Sequence, residues 1–349
     1  MFGERSRGHH LSVTREVSIV ITNHNYAEFL DEAISSALAQ RNADVEVIVV
    51  DDGSTDDSRR VIERHVSNIT AVLTPNDGQG AAFNRGFAAS SGDVVIFLDA
   101  DDVLYDNAAE RVGAAFAADP STVRVQFVLD VVDADGRPTG ATMPERPKVP
   151  FAGDARQRLL TCPDDIVWQP TSGNAFRRTA LNAVLPVPEA PFRLCADYYL
   201  SNLVPLHGNV QLLDRPAGGY RVHGGNAHYA DGERPERLRA NVRRTHETHR
   251  WLIAESQRLG LSGLPPDPDD VRSVSSVANR VLSYRIDPSD HPILSDSAFR
   301  LLRLGLSSSA RRVDVPLARR AMFAAWFVAV TTVPRRYLGV IARPFARLD

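Results

Sequence analysis

The chain has 349 residues, of which 43% are hydrophobic and 24% charged, so it is long enough for one large or two ordinary globular domains. A formal net charge of −3 gives no indication of nucleic-acid binding. The two cysteines are too few for a disulfide framework and fit a reducing compartment. Residues 1–15 lack the apolar core of a signal peptide, and no apolar run reaches the roughly 18 residues that span a bilayer. We therefore predict a loose N-terminal tail and a cytoplasmic protein.

The first hundred residues predict a parallel sheet with helices on both faces. Segments of helical spacing separate four apolar runs with the composition of buried strands: VSIVI, VEVIVV, ITAVL and VVIFL. Near-continuous Val/Ile runs in this alternation are typical of parallel sheets. Ser54 or Thr55 is placed to cap the helix after the second run.

The carboxyl ends of these predicted strands are acidic. Ligands of parallel sheets bind outside the carboxyl ends of the strands. Four aspartates fall at such ends: Asp51, Asp52, Asp99 and Asp101. This position predicts a functional site.

The pattern changes after the fourth strand. VRVQFVLDVV and the segment after DADGRPTG predict a hairpin, so the sheet becomes mixed. DYYLSNLVPL predicts a helix, and NVQLLD and AGGYRVH predict two short strands. Beyond about Pro235 the chain is predicted to be mainly helical, with the LPPDPDD stretch as a linker.

The tripeptide Asp-Ala-Asp occurs twice, in different contexts. The copy at 133–135 precedes Gly136 between two strand-like runs, which predicts a turn. The copy at 99–101 ends a buried strand and is followed by Asp102. Carboxylates this close repel one another unless a cation or protons offset their charge, and Mg²⁺ or Mn²⁺ often binds one or two carboxylates together with substrate phosphates. The alternative is that the three aspartates are solvated and cap the next helix.

Five segments occur in the order seen in family 2 glycosyltransferases, which the chain resembles from about Val17 to Asn226: VSIVITNHNYAEFLDEAISSAL, EVIVVDDGSTDDS, NDGQGAAFNRGFAASSGDVVIFLDADD, CADYYLSNLV and YRVHGGN. These are inverting enzymes of the GT-A fold that use nucleotide-sugar donors. The resemblance implies an α/β fold with a mixed, mostly parallel, Rossmann-like sheet. It also implies a tail (1–15), a catalytic domain (16–232) with donor (16–105) and acceptor (106–232) halves, and a helical extension (233–349).

The resemblance implies a set of donor-binding residues: Thr22, Asn23, Asn25, Tyr26, Asp51, Asp52, Gly53, Gly80, Asn84, Arg85, Asp99 and Ala100. A carboxylate suits the imide N–H of uracil, which favours a UDP-sugar. Gly53 lets the chain turn beneath the nucleotide without a Cβ clash. Relatives often carry the arginine immediately before the asparagine, whereas Arg85 follows Asn84, which places it on a different side of a helix.

The resemblance also implies a metal site and a general base. Asp99, Asp101 and His223 would hold Mg²⁺ or Mn²⁺ against the donor diphosphate, where the metal stabilises the charge of the leaving group. Arg221, next to the flexible Gly224 and Gly225, is a candidate diphosphate partner. Asp197 would be the base, although Ala196 replaces the family's usual acidic neighbour. A helix N-terminus favours its ionised form. The alternative for Asp197 is an ordinary N-cap.

Acceptor contacts are predicted in the WQPTSGN segment. Trp168 is placed to stack on a sugar, and Ser172 and Asn174 to donate or accept hydrogen bonds. Trp168 as a core residue is the alternative. From Ala310 onward the chain carries eight arginines against two aspartates around AMFAAWFVAV. This composition fits either a segment attracted to an anionic membrane surface or a helix packed on the protein with solvated arginines.

The sequence therefore predicts a metal-dependent inverting glycosyltransferase. It would move a sugar from a nucleotide-sugar to a hydroxyl of a glycan or lipid-linked acceptor, in cell-surface glycan or glycolipid synthesis, in the cytoplasm or peripherally on the inner face of the membrane. Two alternatives stay open: a haloacid-dehalogenase-type phosphatase, since VVIFLDADDVL also fits its strand-DxDxV motif, and a non-catalytic nucleotide-sugar or glycan-binding module. A Rossmann dehydrogenase is disfavoured because no GxGxxG follows the first strand.

Overall fold

The computed structural model describes residues 16–145, 150–167, 169–226 and 235–339. These residues form nine strands: β1 Val17–Asn23, β2 Val45–Asp52, β3 Thr70–Thr74, β4 Val94–Asp99, β5 Val103–Leu104, β6 Thr122–Val132, β7 Pro138–Met143, β8 Asn174–Arg177 and β9 Asn209–Arg221. They also form eleven α-helices: α1 Ala27–Leu38, α2 Ser58–His65, α3 Gln79–Ala89, α4 Ala108–Ala118, α5 Arg156–Thr161, α6 Arg178–Val184, α7 Ala196–Leu203, α8 Pro235–Arg258, α9 Val274–Ile286, α10 Ala298–Arg311 and α11 Leu317–Thr332.

The strands form one mixed sheet, in the order β3-β2-β1-β4-β8-β6-β9-β5, with β7 paired to β6. β1 to β4 are parallel to one another, as is the β6–β9 pair, and these pairings contain most of the paired residues. β8 runs antiparallel to both β4 and β6. The predicted mixed, mostly parallel sheet is confirmed.

Helices cover both faces of the sheet, as the continuous apolar strands predicted. Successive side chains of a strand point to opposite faces. On one face, Ile19 and Ile21 pack with α1, α2 and α4. On the other face, Val20 packs with α3, α6 and α7. Because β1 and β4 are buried on both sides, their carboxyl ends are held rigidly where the functional site was predicted.

The predicted hairpin is confirmed, and the second Asp-Ala-Asp copy is its turn. β6 and β7 pair antiparallel. Between them the N–H of Asp133 donates to the carbonyl of Arg137 at 2.9 Å, and Gly136 adopts φ +78°. The side chain of Asp133 accepts hydrogen bonds from the backbone N–H groups of Asp135 and Arg137. Its carboxylate is therefore used locally.

Two local predictions are wrong, and one short strand was missed. NVQLLD and AGGYRVH form one strand, β9, because its register against β6 shifts without breaking. The two-residue strand β5 was not predicted. It pairs with Gly218 and Gly219, and a Cβ on Gly218 would lie 2.5 Å from the carbonyl oxygen of Val103. Neither Ser54 nor Thr55 caps α2, whose N-cap position is Asp57.

The predicted helical region is also confirmed, as α8 to α11. α9, α10 and α11 share a core that includes Phe323, Trp326 and Phe327 of the AMFAAWFVAV run. α8 packs against α5 and β9 through Leu252, which joins this region to the sheet domain. Among the described helices, none has the length and apolarity to cross a bilayer.

Candidate active site

A cavity of about 830 Å³ lies at the carboxyl edge of β1, β2 and β4. It is built from distant parts of the chain: the strand ends, the start of α7 and the first turns of α8. The predicted site residues on its wall are Thr22, Asn23, Tyr26, Asp52, Asp99, Ala100, Asp101 and Asp197. The fold thus brings the predicted base and the predicted metal-binding carboxylates to one cavity.

The carboxylates at the end of β4 are electrostatically strained. Burial, followed by the negative charges of Asp101, Asp102 and Asp197, raises the pKa of Asp99 well above its ordinary value. Burial and the charge of Asp101 raise the pKa of Asp102 to about 8, against the opposing effects of Ser172 and Arg221. A cation would relieve this repulsion directly.

His223 lies beside these carboxylates, as predicted. Its Nε2 is 3.1 Å from Oδ2 of Asp101, and Nδ2 of Asn226 is 3.4 Å from the same oxygen. The ring of Tyr26 meets the His223 ring edge-on, with centroids 5.7 Å apart. Burial and the neighbouring aspartates raise the pKa of the Tyr26 hydroxyl to about 12.

The donor set fits a Mg²⁺ or Mn²⁺ ion that shares its ligands with a phosphate. Within the described ranges, no group of three or more His, Cys, Asp or Glu side chains is arranged to hold a metal by itself. Mg²⁺ commonly binds through one or two carboxylates and completes its shell with water and substrate phosphates. Asp99, Asp101 and His223 are oxygen and imidazole groups of the kind that such a site uses, and burial among other carboxylates raises the pKa of Asp99.

Asp197 is the second residue of α7 and is half-buried. The N-cap position belongs to Cys195, which adopts φ +59°, so the alternative of an N-cap aspartate is wrong. Gln79 connects this helix to β4: its Nε2 lies 3.3 Å from Oδ1 of Asp99, and its Oε1 accepts from the N–H of Ala196 at 2.9 Å. Gln79 thereby links the Asp99 carboxylate to the first residue of α7, which directly precedes Asp197.

A fully buried arginine supports the charge of Asp197. Arg124 of β6 donates to Oδ1 of Asn174 and to the carbonyl of Ser201. Burial lowers its pKa to about 9, and the negative charge of Asp197 opposes that shift. The two charges therefore stabilise each other across the base of α7.

The residue after the predicted base attaches α7 to the helical region. Tyr198 donates a hydrogen bond to Oδ1 of Asp164, and Nε2 of His249 on α8 lies 2.8 Å from the other carboxylate oxygen. The side chains of His249 and Asp164 are 2% and 5% exposed. Burial would raise the pKa of Asp164, but the charge and hydrogen bond of His249 outweigh burial and lower it. This network fixes α7 against α8.

The two aspartates of the DDGS segment have different environments. Asp51 is fully buried, lies outside the cavity wall, and accepts from Nδ2 of Asn23 at 2.8 Å. Asp52 lines the cavity and accepts from the N–H groups of Asp77 and Gly78. Asp52, rather than Asp51, is therefore positioned to contact a bound ligand.

Gly53 makes the turn that was predicted for it. It adopts φ +71°, and a Cβ there would lie 2.5 Å from the backbone nitrogen of Asn76. Only glycine fits this left-handed, crowded position.

Four predicted donor contacts lie outside the wall of the main cavity. Asn25 accepts from the N–H of Thr55 at 2.7 Å. Gly80 packs on the backbone of Phe192, and Asn84 exchanges two hydrogen bonds with the backbone of Val187. Arg85 forms an ion pair with Asp77. These four residues shape the loops around the cavity, and Asn25 also lines a neighbouring pocket with His223. Their direct contact with a donor stays a prediction.

Two of the three predicted acceptor residues lie away from the solvent. Ser172 and Asn174 are fully buried. The Ser172 hydroxyl accepts from the N–H of Asp99 at 3.1 Å, and Asn174 binds Arg124, so both support charged residues from behind. Trp168 lies outside the described residues.

Arg221 is not a mobile diphosphate ligand. It is 1% exposed at the end of β9, donates to Oε2 of Glu32 at 2.6 Å, and bonds to the carbonyl of Asp101. Its backbone N–H donates to Oδ1 of Asp102 at 2.9 Å. Arg221 therefore fixes the backbone of the acidic edge.

Sequence reasoning missed several residues of the cavity wall: Gln79, Thr171, Arg193, Asn226, Arg237, Asn241 and Arg244. Asn226 and Gln79 lie inside segments that carry the family resemblance. Their place in those segments could have identified both as candidate site residues. The residues of α8 follow the resembling part of the chain, and only tertiary packing reveals them.

Comparisons with known proteins point to one family. The sequence model described as Glycosyl transferase family 2 matches residues 18–184. An uncharacterized glycosyltransferase of Nostoc sp. is 35% identical over 240 residues, which cover 66% of this chain and 74% of the relative. Chondroitin synthase of Escherichia coli is 33% identical over 123 residues, covering 34% of this chain but only 18% of that protein.

A solved structure shows the same fold. TarS 1–349 of S. aureus, crystallised in complex with UDP-GlcNAc, superposes with a TM-score of 0.57 at 15% identity and covers 95% of this chain and 92% of its own. The phosphatase alternative finds no support in these matches. The chain belongs to glycosyl transferase family 2 and is a glycosyltransferase of the GT-A fold.

Proposed function

We propose that this glycosyltransferase is metal-dependent and inverting, and that it transfers a sugar from a UDP-sugar to an acceptor hydroxyl. One observation carries the proposal: Asp52, Asp99, Asp101 and Asp197 line the same cavity. That arrangement combines a donor-binding edge with a separate carboxylate on another element.

Asp197 is the general base. The start of α7 and the buried charge of Arg124 favour its ionised form, which is the form that accepts a proton. It removes the proton of the acceptor hydroxyl, and the oxygen attacks the anomeric carbon from the face opposite the diphosphate. The configuration at that carbon is thereby inverted, and no covalent bond to the enzyme forms.

Asp99, Asp101 and His223 would hold the divalent cation. When bound, Mg²⁺ or Mn²⁺ supplies positive charge that stabilises the departing diphosphate. The side chain of Asn226 and the backbone bonds of Arg221 keep Asp101 and Asp102 in place. Tyr26 closes the other side of His223.

Asp52, Thr22 and Asn23 form the nucleotide side of the cavity, with Ala100 on the same wall. A carboxylate that accepts from an imide N–H favours uracil, and a protein of this fold was crystallised with UDP-GlcNAc. Asp51 acts from behind by holding Asn23. The partial match to a chondroitin synthase favours an acceptor of the glycan or lipid-linked class, in cell-surface polysaccharide or glycolipid synthesis.

A donor screen tests the nucleotide. Thermal shifts are measured with Mn²⁺ and UDP-, GDP- or dTDP-sugars, and saturation at a hundredfold excess over Kd stabilises a fold by about 2.7 kcal/mol. UDP-sugars are expected to give the largest shift. A shift of equal size without Mn²⁺ would contradict the metal requirement.

An Asp197→Asn variant separates the enzyme from a non-catalytic binding module. The amide cannot accept the proton, so transfer should fall by at least about 10²-fold, while the donor-induced thermal shift stays unchanged. Anomeric NMR of the wild-type product reports the stereochemistry. Retention of configuration would rule out the single-displacement mechanism.

The proposal places the protein in the cytoplasm, peripherally on the inner face of an anionic membrane. Phe323, Trp326 and Phe327 are buried in the helical core, so they do not insert. The exposed side chains of α11 include Leu317 and Arg319, and these would make the contact.

Liposome co-sedimentation tests this contact on the full chain. Binding should require anionic lipid and should weaken in a Leu317→Ser, Arg319→Gln double variant. Equal sedimentation of the variant and the wild type would remove the membrane from the proposal.

A further inference from the structure

Part of the cavity wall is basic and comes from α8. Four of its residues line the cavity at positions i, i+3, i+4 and i+7: Arg237, Ala240, Asn241 and Arg244. This spacing places them along one side of the helix. The neighbouring positions Val242 and Thr245 are buried. The first two turns of the helix therefore bring two arginines to the cavity wall beside a buried stripe.

Arg244 lacks a carboxylate partner in the described parts of the chain. It is half-buried, and its guanidinium donates to Oδ1 of Asn241 at 2.8 Å and lies 5.8 Å from the centre of the Tyr198 ring. Its Nε is buried and makes no hydrogen bond to another described residue. A half-buried cation with an unused donor is costly unless a ligand completes it.

Other arginines of the same region are paired. On α8 itself, Arg239 forms ion pairs with Asp287 and Asp290, the latter at 2.9 Å. Near the cavity, Arg85 is paired with Asp77 and Arg221 with Glu32. Within the described ranges these arginines have carboxylate partners. Arg244 instead lies beside the Asn241 amide, the Cys195 thiol and the Tyr198 ring, and it lines the cavity.

The position of Arg244 indicates which substrate it meets. Tyr198, over which it lies, directly follows Asp197. The donor diphosphate is assigned to the end of β4, where Asp99 and Asp101 require a cation. An acceptor whose hydroxyl reaches Asp197 therefore lies next to Arg244, with the exposed Arg237 two turns nearer the start of α8.

We propose that Arg237 and Arg244 bind an anionic group of the acceptor, a phosphate or a carboxylate close to the hydroxyl that receives the sugar. The inference rests on the proposed function, because it takes Asp197 as the position of that hydroxyl. It deepens the proposed function by naming the acceptor class. Arginine suits this task because its planar fork of donors matches both oxyanions.

Three probes with one carbon skeleton test the proposal: glycerol, glycerate and glycerol 3-phosphate. Each is titrated into the full-length protein saturated with UDP and Mn²⁺, and binding is measured by calorimetry. At least one anionic probe should bind about tenfold or more tightly than glycerol. The tighter of the two anions identifies the phosphate or the carboxylate as the natural group.

Matched arginine variants of α8 make the test specific. Arg244→Gln should weaken the anionic probe about tenfold, and Arg237→Gln should weaken it in the same direction. Arg243→Gln removes a neighbouring, solvent-exposed arginine and should change nothing. If Arg244→Gln lowers the melting temperature, Arg244→Lys keeps the charge and should retain most of the affinity.

Three results would overturn the inference. The first is equal binding of glycerol and both anions to the wild type. The second is unchanged anion binding in Arg244→Gln. The third is a loss of UDP affinity in that variant with no change for the anion, which would assign the arginines to the donor. Failure of the proposed function is a separate result, in which UDP does not bind the wild type.

Discussion

Carboxylates have opposite environments at the sheet edge and in the helical region. At the edge, Asp99 and Asp102 are buried beside other negative charges, and their pKa values are raised. In the helical region, Asp296 is buried between Arg280 and His291, both at 2.9 Å, and its pKa is lowered because these hydrogen bonds outweigh burial. Repulsion in the first arrangement lowers the stability of the fold unless a bound cation offsets it. The second arrangement stabilises the fold without a ligand. Unpaired buried charge thus marks the site more clearly than acidity alone.

The largest expected effect tests the acidic sheet edge. Asp101→Asn removes a carboxylate of the acidic edge, and sugar transfer should fall by about 10²–10³-fold because less charge is available to hold a cation. The melting temperature of the ligand-free protein should not fall. Transfer assays and thermal melts check both statements.

The second Asp-Ala-Asp copy provides the control. Asp135→Asn alters an exposed turn residue whose carboxylate pairs with Arg137. Its activity and melting temperature should match the wild type. Equal losses of activity in the two variants would show that context does not distinguish the copies.

The next effect tests the helical region. Asp296→Ala leaves Arg280 without its buried partner and should lower the free energy of unfolding by about 3–5 kcal/mol. The transfer rate per folded molecule should be unchanged. Urea unfolding and an activity assay on the folded fraction measure the two quantities.

An ion pair of the same region with an exposed carboxylate is the matched control. Asp290→Ala breaks the ion pair between Asp290, which is 59% exposed, and Arg239. The free energy of unfolding should fall by at most about 1 kcal/mol. A cost similar to that of Asp296→Ala would mean that burial does not set the value of these pairs.

The smallest effect is a pH dependence. The pKa of Asp164 lies below its ordinary value of 3.8, so its contribution to stability is present above that pH and is lost as the pH falls through the folded-state pKa. Wild type should therefore exceed Asp164→Asn in unfolding free energy at pH 7, and the gap should narrow below about pH 4. Urea titrations across this range test it. A gap that widens in acid would reverse the sign of the argument.

Much of the sheet domain could be predicted because its signals are local. The apolar runs of β1 to β4 are continuous, and Asp99 and Asp101 directly follow one of them. The turn at Gly136 was recognisable for the same reason. These features depend on neighbouring residues, which periodicity and turn chemistry describe well.

The failures involve contacts between distant residues. Arg221 and Asp102 are 119 positions apart, and nothing near either residue shows that the arginine's backbone N–H binds that carboxylate. The burial of Ser172 and Asn174 depends on strands that pair across the sheet. Arg244 enters the cavity only because α8 packs on α7. Each of these facts arises from tertiary packing.

The buried link from Tyr198 through Asp164 to His249 has a consequence for protein engineering. A chimera that grafts the helices after residue 234 onto another family member would transfer His249 but leave Asp164 behind. The transplanted α8 would then lose the contact with Asp164 that holds it against α7. A functional chimera must therefore include the loop around Asp164 together with the helices. The boundary for such an exchange lies before Asp164 and not at residue 234.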